Sequence, residues 1–278
     1  MKHSAEENRG FTLVELLTVL AIITMLIGML VPALNTVRRF AKETKQKAQL
    51  ASIDAALVTF RNDYGDYPPS RNFSEDTGAQ NYCGALKLCE ALLGRDLMGF
   101  HPGSTWSATD NTFYNPGTLG ERKSRYLELA TTNAFRLGDL YADTGNLRNE
   151  TFVLCDAFTT KKITVGGKTA KAGAPILYYR ANTASTSLET PAANERIYNY
   201  MHNQELIGLK DFDDDGVLGE HPLGDTTGAY FYTYITDPKI VDTAWPHRPD
   251  SYLLITAGAD GLYGTADDIC NFEPNVQP

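Results

Sequence analysis

The carboxylates are the groups in this chain best placed for chemistry, and many of them gather in two loops. In "DFDDDGVLGE", Asp211, Asp213 and Asp215 alternate ahead of Gly216. That is how a loop begins to wrap a hard cation in side-chain oxygens before turning at glycine. The twelfth position, where a bidentate Glu would close such a loop, is Pro222; Glu220 is an earlier substitute, and a solvated turn is the competing reading. In "TAGADGLYGTADDI", Asp260, Asp267 and Asp268 are separated by Gly261 and Gly264. Such a loop curls and brings carboxylates and carbonyls together as oxygen-only ligands suited to calcium. A bound ion would be structural, because clustered carboxylates repel one another without it.

Nucleophilic and zinc chemistry find less support. Cys83, Cys89, Cys155 and Cys270 lack paired CxxC spacing, and the chain contains neither HExxH nor GxSxG. One or two disulfides are permitted in an exported domain, whereas buried free thiols suit the residue type better. No glycine loop carries Lys-Ser or Lys-Thr at the spacing that a phosphate cradle requires. An enzyme is therefore not expected. The formal charge of -9 also argues against general nucleic-acid binding, which Lys and Arg drive by neutralising phosphates.

One further carboxylate stands apart. "GFTLVELLTVLAIITMLIGMLVPALNTV" (residues 10–37) is apolar from Phe11 to Val31 except for threonines, a glycine and Glu15. Roughly 20 such residues cross a bilayer core, and a carboxylate in hydrocarbon is a functional feature by default. No small-residue cleavage site follows the run, as a secretory signal would require; Arg9-Gly10 precedes it.

This segment resembles the class III signal of type IV pilins and type II secretion pseudopilins. The resemblance implies cleavage between Gly10 and Phe11 by a prepilin peptidase, N-methylation of Phe11, and a retained hydrophobic helix. It also implies that Glu15 neutralises the free amino terminus of a neighbouring subunit during filament assembly, and that Pro32 bends the helix. An amine and a carboxylate both penalised in hydrocarbon pair only when subunits dock in one register. The acidic "TAGADGLYGTADDI" loop resembles the carboxy-terminal calcium loop of major pseudopilins, which implies Thr256, Asp260, Asp267 and Asp268 as ligands, with backbone oxygens near Ala257. "CDAF" followed later by "APILYYR" resembles a pseudopilin turn and strand separated here by an insertion.

The implied protein is a single-pass subunit of the bacterial inner membrane with its head in the periplasm. Its partners would be copies of itself, other pseudopilins, the secretion platform and the peptidase. Basic residues crowd after the apolar run, at Arg38, Arg39, Lys42, Lys45 and Lys47, which by charge alone favours the reverse orientation. The outward head rests on the resemblance. A type IV pilus pilin, a minor pseudopilin and a membrane-anchored ligand-binding protein or adhesin are the alternatives. For the last, "AYFYTYI" and the loop around Trp106 would supply an aromatic surface.

The elements that must hold these groups follow from periodicity. The expected organisation is a leader over 1–10, a long helix over 11–62 with its membrane part at 11–32, and a globular head over 63–278. Beyond Pro32, Val37, Ala41, Thr44, Ala48, Ala51, Ala55 and Val58 form a stripe at three- and four-residue spacing, widened by Phe40, Ile53, Leu57 and Phe60. Gly65 and Pro68-Pro69 stop the helix. "CGALKLCEALLG" reads as a short packed helix closed by Gly94, the stretch 95–118 as a long loop, and "SRYLELAT" as a weak short element. Residues 152–155, 176–180, 229–235 and 252–256 read as strands, with "TVGGKTAKAGAP" as a glycine-rich turn among them. The fold class expected is α+β and pilin-like, a long helix packed on an antiparallel sheet.

Overall fold

A computed structural model describes residues 12–70, 82–100, 122–129, 132–159, 161–188, 195–209 and 221–276. Its first element, α1 (Leu13–Tyr64), is one helix with Pro32 inside it. The chain divides into two compact units, Met1–Lys42 and Glu43–Pro278, so the boundary falls within α1. In the first unit the large apolar side chains are exposed, from Leu13 to Phe40. Threonine hydroxyls there donate to carbonyls of the preceding turn, Thr18 to Val14 and Thr24 to Ala21, so these polar groups need no water. Pro32 has no N–H to give the Gly28 carbonyl, and the Thr36 hydroxyl donates to the Pro32 carbonyl at 3.2 Å.

The second unit is the α+β head. Its described elements after α1 are α2 (Gly84–Leu93), β1 (Ala134–Arg136), α3 (Leu137–Leu140), β2 (Phe152–Leu154), β3 (Lys161–Val165), β4 (Lys168–Ala172), β5 (Leu177–Arg180), α4 (Met201–Ile207), α5 (Ala229–Ile235), β6 (Tyr252–Thr256) and β7 (Ile269–Cys270). Among the described residues three small antiparallel sheets form, β1-β2, β3-β4 and β5-β6-β7, where a single sheet on the helix was expected. The third is central. Tyr178 pairs with Leu254 and Tyr179 with Leu253, and alternate residues enter two apolar clusters. Tyr178, Tyr252 and Leu254 pack with Leu50, Ile53, Leu57 and Phe60 of α1 and with the carboxy-terminal half of α2. Tyr179, Leu253 and Ile255 pack with Leu206 and Ile207 of α4 and with Phe231, Tyr234 and Ile235 of α5. A sheet covered on both faces reads as continuous apolar runs, as "ILYYR" and "YLLIT" do.

The side of α1 that enters the head differs from the alanine-rich stripe. Gln46, Leu50, Ile53, Ala56, Leu57 and Phe60 are buried, whereas Ala41, Thr44, Ala48, Ala51, Ala55 and Val58 are exposed. Alanine fits either environment, so the larger side chains decide which face is covered. Gln46 and Gln49 fasten this face by hydrogen bonds. The backbone N–H of Ala157 donates to Gln46 Oε1 at 2.7 Å, and Gln49 Nε2 donates to the Cys155 carbonyl at 2.9 Å.

Two local expectations are overturned. Residues 229–235 form α5 and not a strand: Phe231, Tyr234 and Ile235, spaced at three and four, are buried together, and this packing overrides the β propensity of "YFYTY". The same burial removes much of "AYFYTYI" from any exposed aromatic surface, and Trp106 lies outside the described residues. The stretch read as a glycine-rich turn is the β3-β4 hairpin, with Val165 opposite Lys168 across Gly166-Gly167. Both glycines have positive φ, 56° and 78°, as a two-residue hairpin requires. The helix α2, closed by Gly94, agrees with its pattern. In "SRYLELAT" the described residues form bends and a single 3-10 position, and the 95–118 loop is described only up to Phe100.

Candidate assembly segment and acidic loop

Glu15 lies in the first turn of α1, and its nearest polar partner is within the chain. Thr12 N and Thr12 Oγ1 both donate to Glu15 Oε2, at 2.9 and 2.7 Å, and Glu15 N donates back to Thr12 Oγ1 at 3.2 Å. This reciprocal pattern is a capping box, T-x-x-E, which satisfies donors that a helix start otherwise leaves open. The spacing was legible in "TLVE" and is the feature that reading Glu15 solely as an intersubunit group misses. The cap fixes where the helix begins, immediately after Phe11. Gly10 and Phe11 themselves lie outside the described residues.

The helix that follows is long and apolar enough to cross a membrane, and none of its most apolar 18-residue window is buried. Residues 7–31 match the family model described as the prokaryotic N-terminal methylation motif. The match supports a type IV pilin-like protein. It takes in Gly10, Phe11, Glu15 and most of the apolar run, and ends one residue before Pro32. The motif suggests processing by a prepilin peptidase and assembly into filaments, and together with the one membrane-length helix among the described residues it is consistent with inner-membrane anchoring. No curated protein and no solved structure matches the chain.

In the head, the "CDAF" turn and the "APILYYR" strand meet as expected of two halves parted by an insertion. Cys155 forms an antiparallel bridge with Pro175, Asp156 N donates to the Ala174 carbonyl, and Ile176 N to the Leu154 carbonyl. The β3-β4 hairpin is the inserted excursion. Gly173 brings the returning strand against Asp156, where an added Cβ would lie 2.1 Å from a carboxylate oxygen. Asp156 Oδ1 accepts from Phe158 N and so fixes the turn.

The carboxy-terminal acidic loop connects β6 to β7. Asp267 Oδ2 accepts from Ala259 N (2.6 Å) and Asp260 N (3.1 Å), and Asp267 Oδ1 from the Thr265 hydroxyl (2.6 Å). Asp268 Oδ2 accepts from Tyr234 Oη at 2.6 Å and Gly264 N at 2.7 Å. Asp260 Oδ1 accepts from Leu262 N. Burial pushes the Asp268 carboxyl up to about 8. Burial, and next the adjoining Asp267, also raise Asp260. Partial burial pushes Asp267 the same way, but the bonds from Thr265 and from the Ala259 and Asp260 amides outweigh it and hold that group low. Two adjoining carboxylates with opposed shifts share either a proton or a cation.

The donor set is oxygen-only, as a hard cation requires, but it is not gathered into a cage. Among the described residues, no group of three or more His, Cys, Asp or Glu side chains is arranged to hold a metal. Thr256 Oγ1 exchanges hydrogen bonds with the Ile269 backbone, at 2.9 Å to its carbonyl and 3.3 Å from its N–H. Ala257 is buried, and its carbonyl accepts from Gly261 N. Asp260 and Asp267 are thus brought together, whereas Asp268 is turned to Tyr234. Asp211, Asp213 and Asp215 lie outside the described residues.

All four cysteines are free, with Cys83, Cys89 and Cys155 buried. Burial pushes the Cys83 thiol up to about 12 and raises Cys89, Cys155 and Cys270 as well. A thiol kept protonated is a poor nucleophile. These are packing residues.

Proposed function

We propose that this protein is a structural subunit of a type II secretion pseudopilus, cut between Gly10 and Phe11 and assembled into a helical filament through α1. One observation carries the reading: a methylation motif over residues 7–31 sits on a membrane-length helix whose first turn holds Glu15. A free amino terminus at Phe11 would lie one residue before the Thr12–Glu15 cap. The cap leaves Glu15 at the helix entrance, where a neighbouring subunit's amine completes a charge pair inside hydrocarbon. Its head would face the periplasm, with other pseudopilins and the inner-membrane platform as partners. A calcium ion held by oxygens drawn from Thr256, Ala257, Asp260, Asp267 and Asp268 is part of the same proposal, supported by the adjoining Asp260 and Asp267 carboxylates. The ion would relieve their repulsion and stiffen the β6-β7 loop; no catalytic step is involved.

Quantitative proteomics of culture medium from a strain lacking this gene, beside its parent, tests the role. A defined set of normally secreted proteins retained in the cell is the expected result. Normal export with loss of surface fibres, adhesion or DNA uptake would replace the secretion reading with a pilus pilin.

A further inference from the structure

The β3-β4 hairpin has one face in the head and one outside it. Ile163 and Ala172 are buried in the same apolar cluster as Tyr179, and Ala170 packs against it. Lys162, Thr164, Thr169 and Lys171 alternate with these residues and are exposed, as the two-residue period of a strand requires. In the antiparallel register Lys162 stands opposite Lys171, and Thr164 opposite Thr169. Residues paired in this way hold their Cβ atoms roughly 5 Å apart, and like charges there work against the hairpin. Neither ammonium has an ion-pair or hydrogen-bond partner among the described residues. Lys168, opposite Val165 at the turn, is exposed as well, whereas the Lys161 ammonium lies 5.9 Å from the centre of the Tyr141 ring.

Four of the chain's 25 basic residues fall within residues 161–172, and none of its 34 acidic residues does. The remainder of each copy is therefore strongly acidic, and a second copy presents the charge that this face lacks. A basic face meeting a different, acidic face of an identical chain is a heterologous contact. Such contacts propagate into open helical assemblies when the rotation does not close. Lysines on strand edges have another use, which is to keep open edges from pairing with other sheets, and both outer edges of this two-stranded sheet are open among the described residues. That use is served by charge of either sign and does not call for two cations directly opposite each other.

We propose that the outer face of the β3-β4 hairpin, through Lys162, Lys168 and Lys171, docks on a carboxylate-bearing surface of the next copy of this chain. The proposal rests on the assembly reading and adds to it an electrostatic contact outside α1. To test it, membranes from cells producing the full chain are treated with a carbodiimide, which joins an ammonium to a carboxylate in contact with it. Covalent dimers are then separated from monomers and digested. Peptides joining Lys162, Lys168 or Lys171 to an Asp or Glu of this chain are expected in the dimer and not in the monomer, with a yield that falls as salt is added. Lys162→Glu sets a carboxylate opposite Lys171, which favours the hairpin while cancelling the charge of the pair. Adducts of Lys168 should then fall by about tenfold, with a melting transition at or above that of the wild-type protein. An undiminished yield in Lys162→Glu would assign the lysines to guarding the strand edges and overturn the docking. Absence of hairpin adducts from wild-type membranes would do the same, as would adducts to a different protein alone. Filaments recovered from the same cells separate the two readings. Filaments without hairpin adducts overturn the docking and leave assembly through α1 standing; hairpin adducts without filaments retain the docking and overturn the filament.

Discussion

The two halves of α1 use the same helix in opposite ways. From Leu13 to Phe40 the apolar side chains are exposed and the chain's own polar groups are satisfied internally, by a capping box and by threonines bonded to the preceding turn. From Gln46 to Phe60 the apolar side chains are buried, and two glutamines reach out to the head's backbone. The first half leaves its apolar surface uncovered, with Glu15 as its one carboxylate. The second half is already a finished interface within the chain. Hydrophobicity alone does not distinguish these fates; the placement of the few polar groups does.

The sharpest way to break this comparison is at Glu15. Glu15→Ala removes both the cap and the charge, and loss of filament assembly with peptidase processing intact is expected. Glu15→Gln separates the two contributions, because glutamine also completes a capping box but brings no charge. Assembly lost in Glu15→Gln, measured by filament recovery from cells, assigns the role to the charge. Normal filaments from that variant would sink the registry role and leave helix capping as the function of Glu15.

In the second half, Leu57 is fully buried in the head whereas Val58 is 47% exposed. Leu57→Ala should destabilise the head by about 2–5 kcal/mol, and Val58→Ser by about 0.5 kcal/mol or less, read by thermal or denaturant unfolding. Equal effects would mean that the alanine-rich stripe containing Val58 is the packed face after all. Gln46→Ala falls between them. It strands the buried Ala157 N–H, a loss of about 1–3 kcal/mol, and a neutral outcome would show that water replaces the glutamine.

The first half of α1 was legible because its signals are local: an apolar run of membrane length, a motif with fixed spacing, and a glutamate in the first turn. The central strands β5 and β6 were legible for a similar reason, since double burial makes them continuous apolar runs. What failed was decided by tertiary contact. "AYFYTYI" has the composition of a strand, and only the company of Tyr179, Leu206 and Leu253 makes its three- and four-residue spacing the one that counts. The alanines of α1 mark a helix but not which side is covered. Gln46, Lys87 and Glu90 are polar residues whose burial has no signature in periodicity, because each depends on a partner distant in sequence or on a neighbouring turn. The acidic loop was legible as a collection of oxygens, but its hydrogen bonds, with Asp268 turned toward Tyr234, depend on where α5 packs.

That loop supplies the most discriminating effect. With Asp268 held up to about 8 against an ordinary value of about 4, the folded state keeps a proton that the unfolded state has already released between those limits. Folded protein then binds more protons than unfolded, so stability falls as pH rises through this interval. Calcium favours the ionised carboxylates, and its binding should offset that loss, more so at pH 8 than at pH 5. Melting curves of the protein with calcium and with chelator, at both pH values, read the difference directly. A melting temperature raised by a few degrees at pH 8, with little change at pH 5, is expected, and Asp267→Asn should abolish the response. A transition indifferent to calcium at both pH values would leave the loop closed by its own hydrogen bonds, with Asp260 and Asp267 sharing a proton where an ion was proposed.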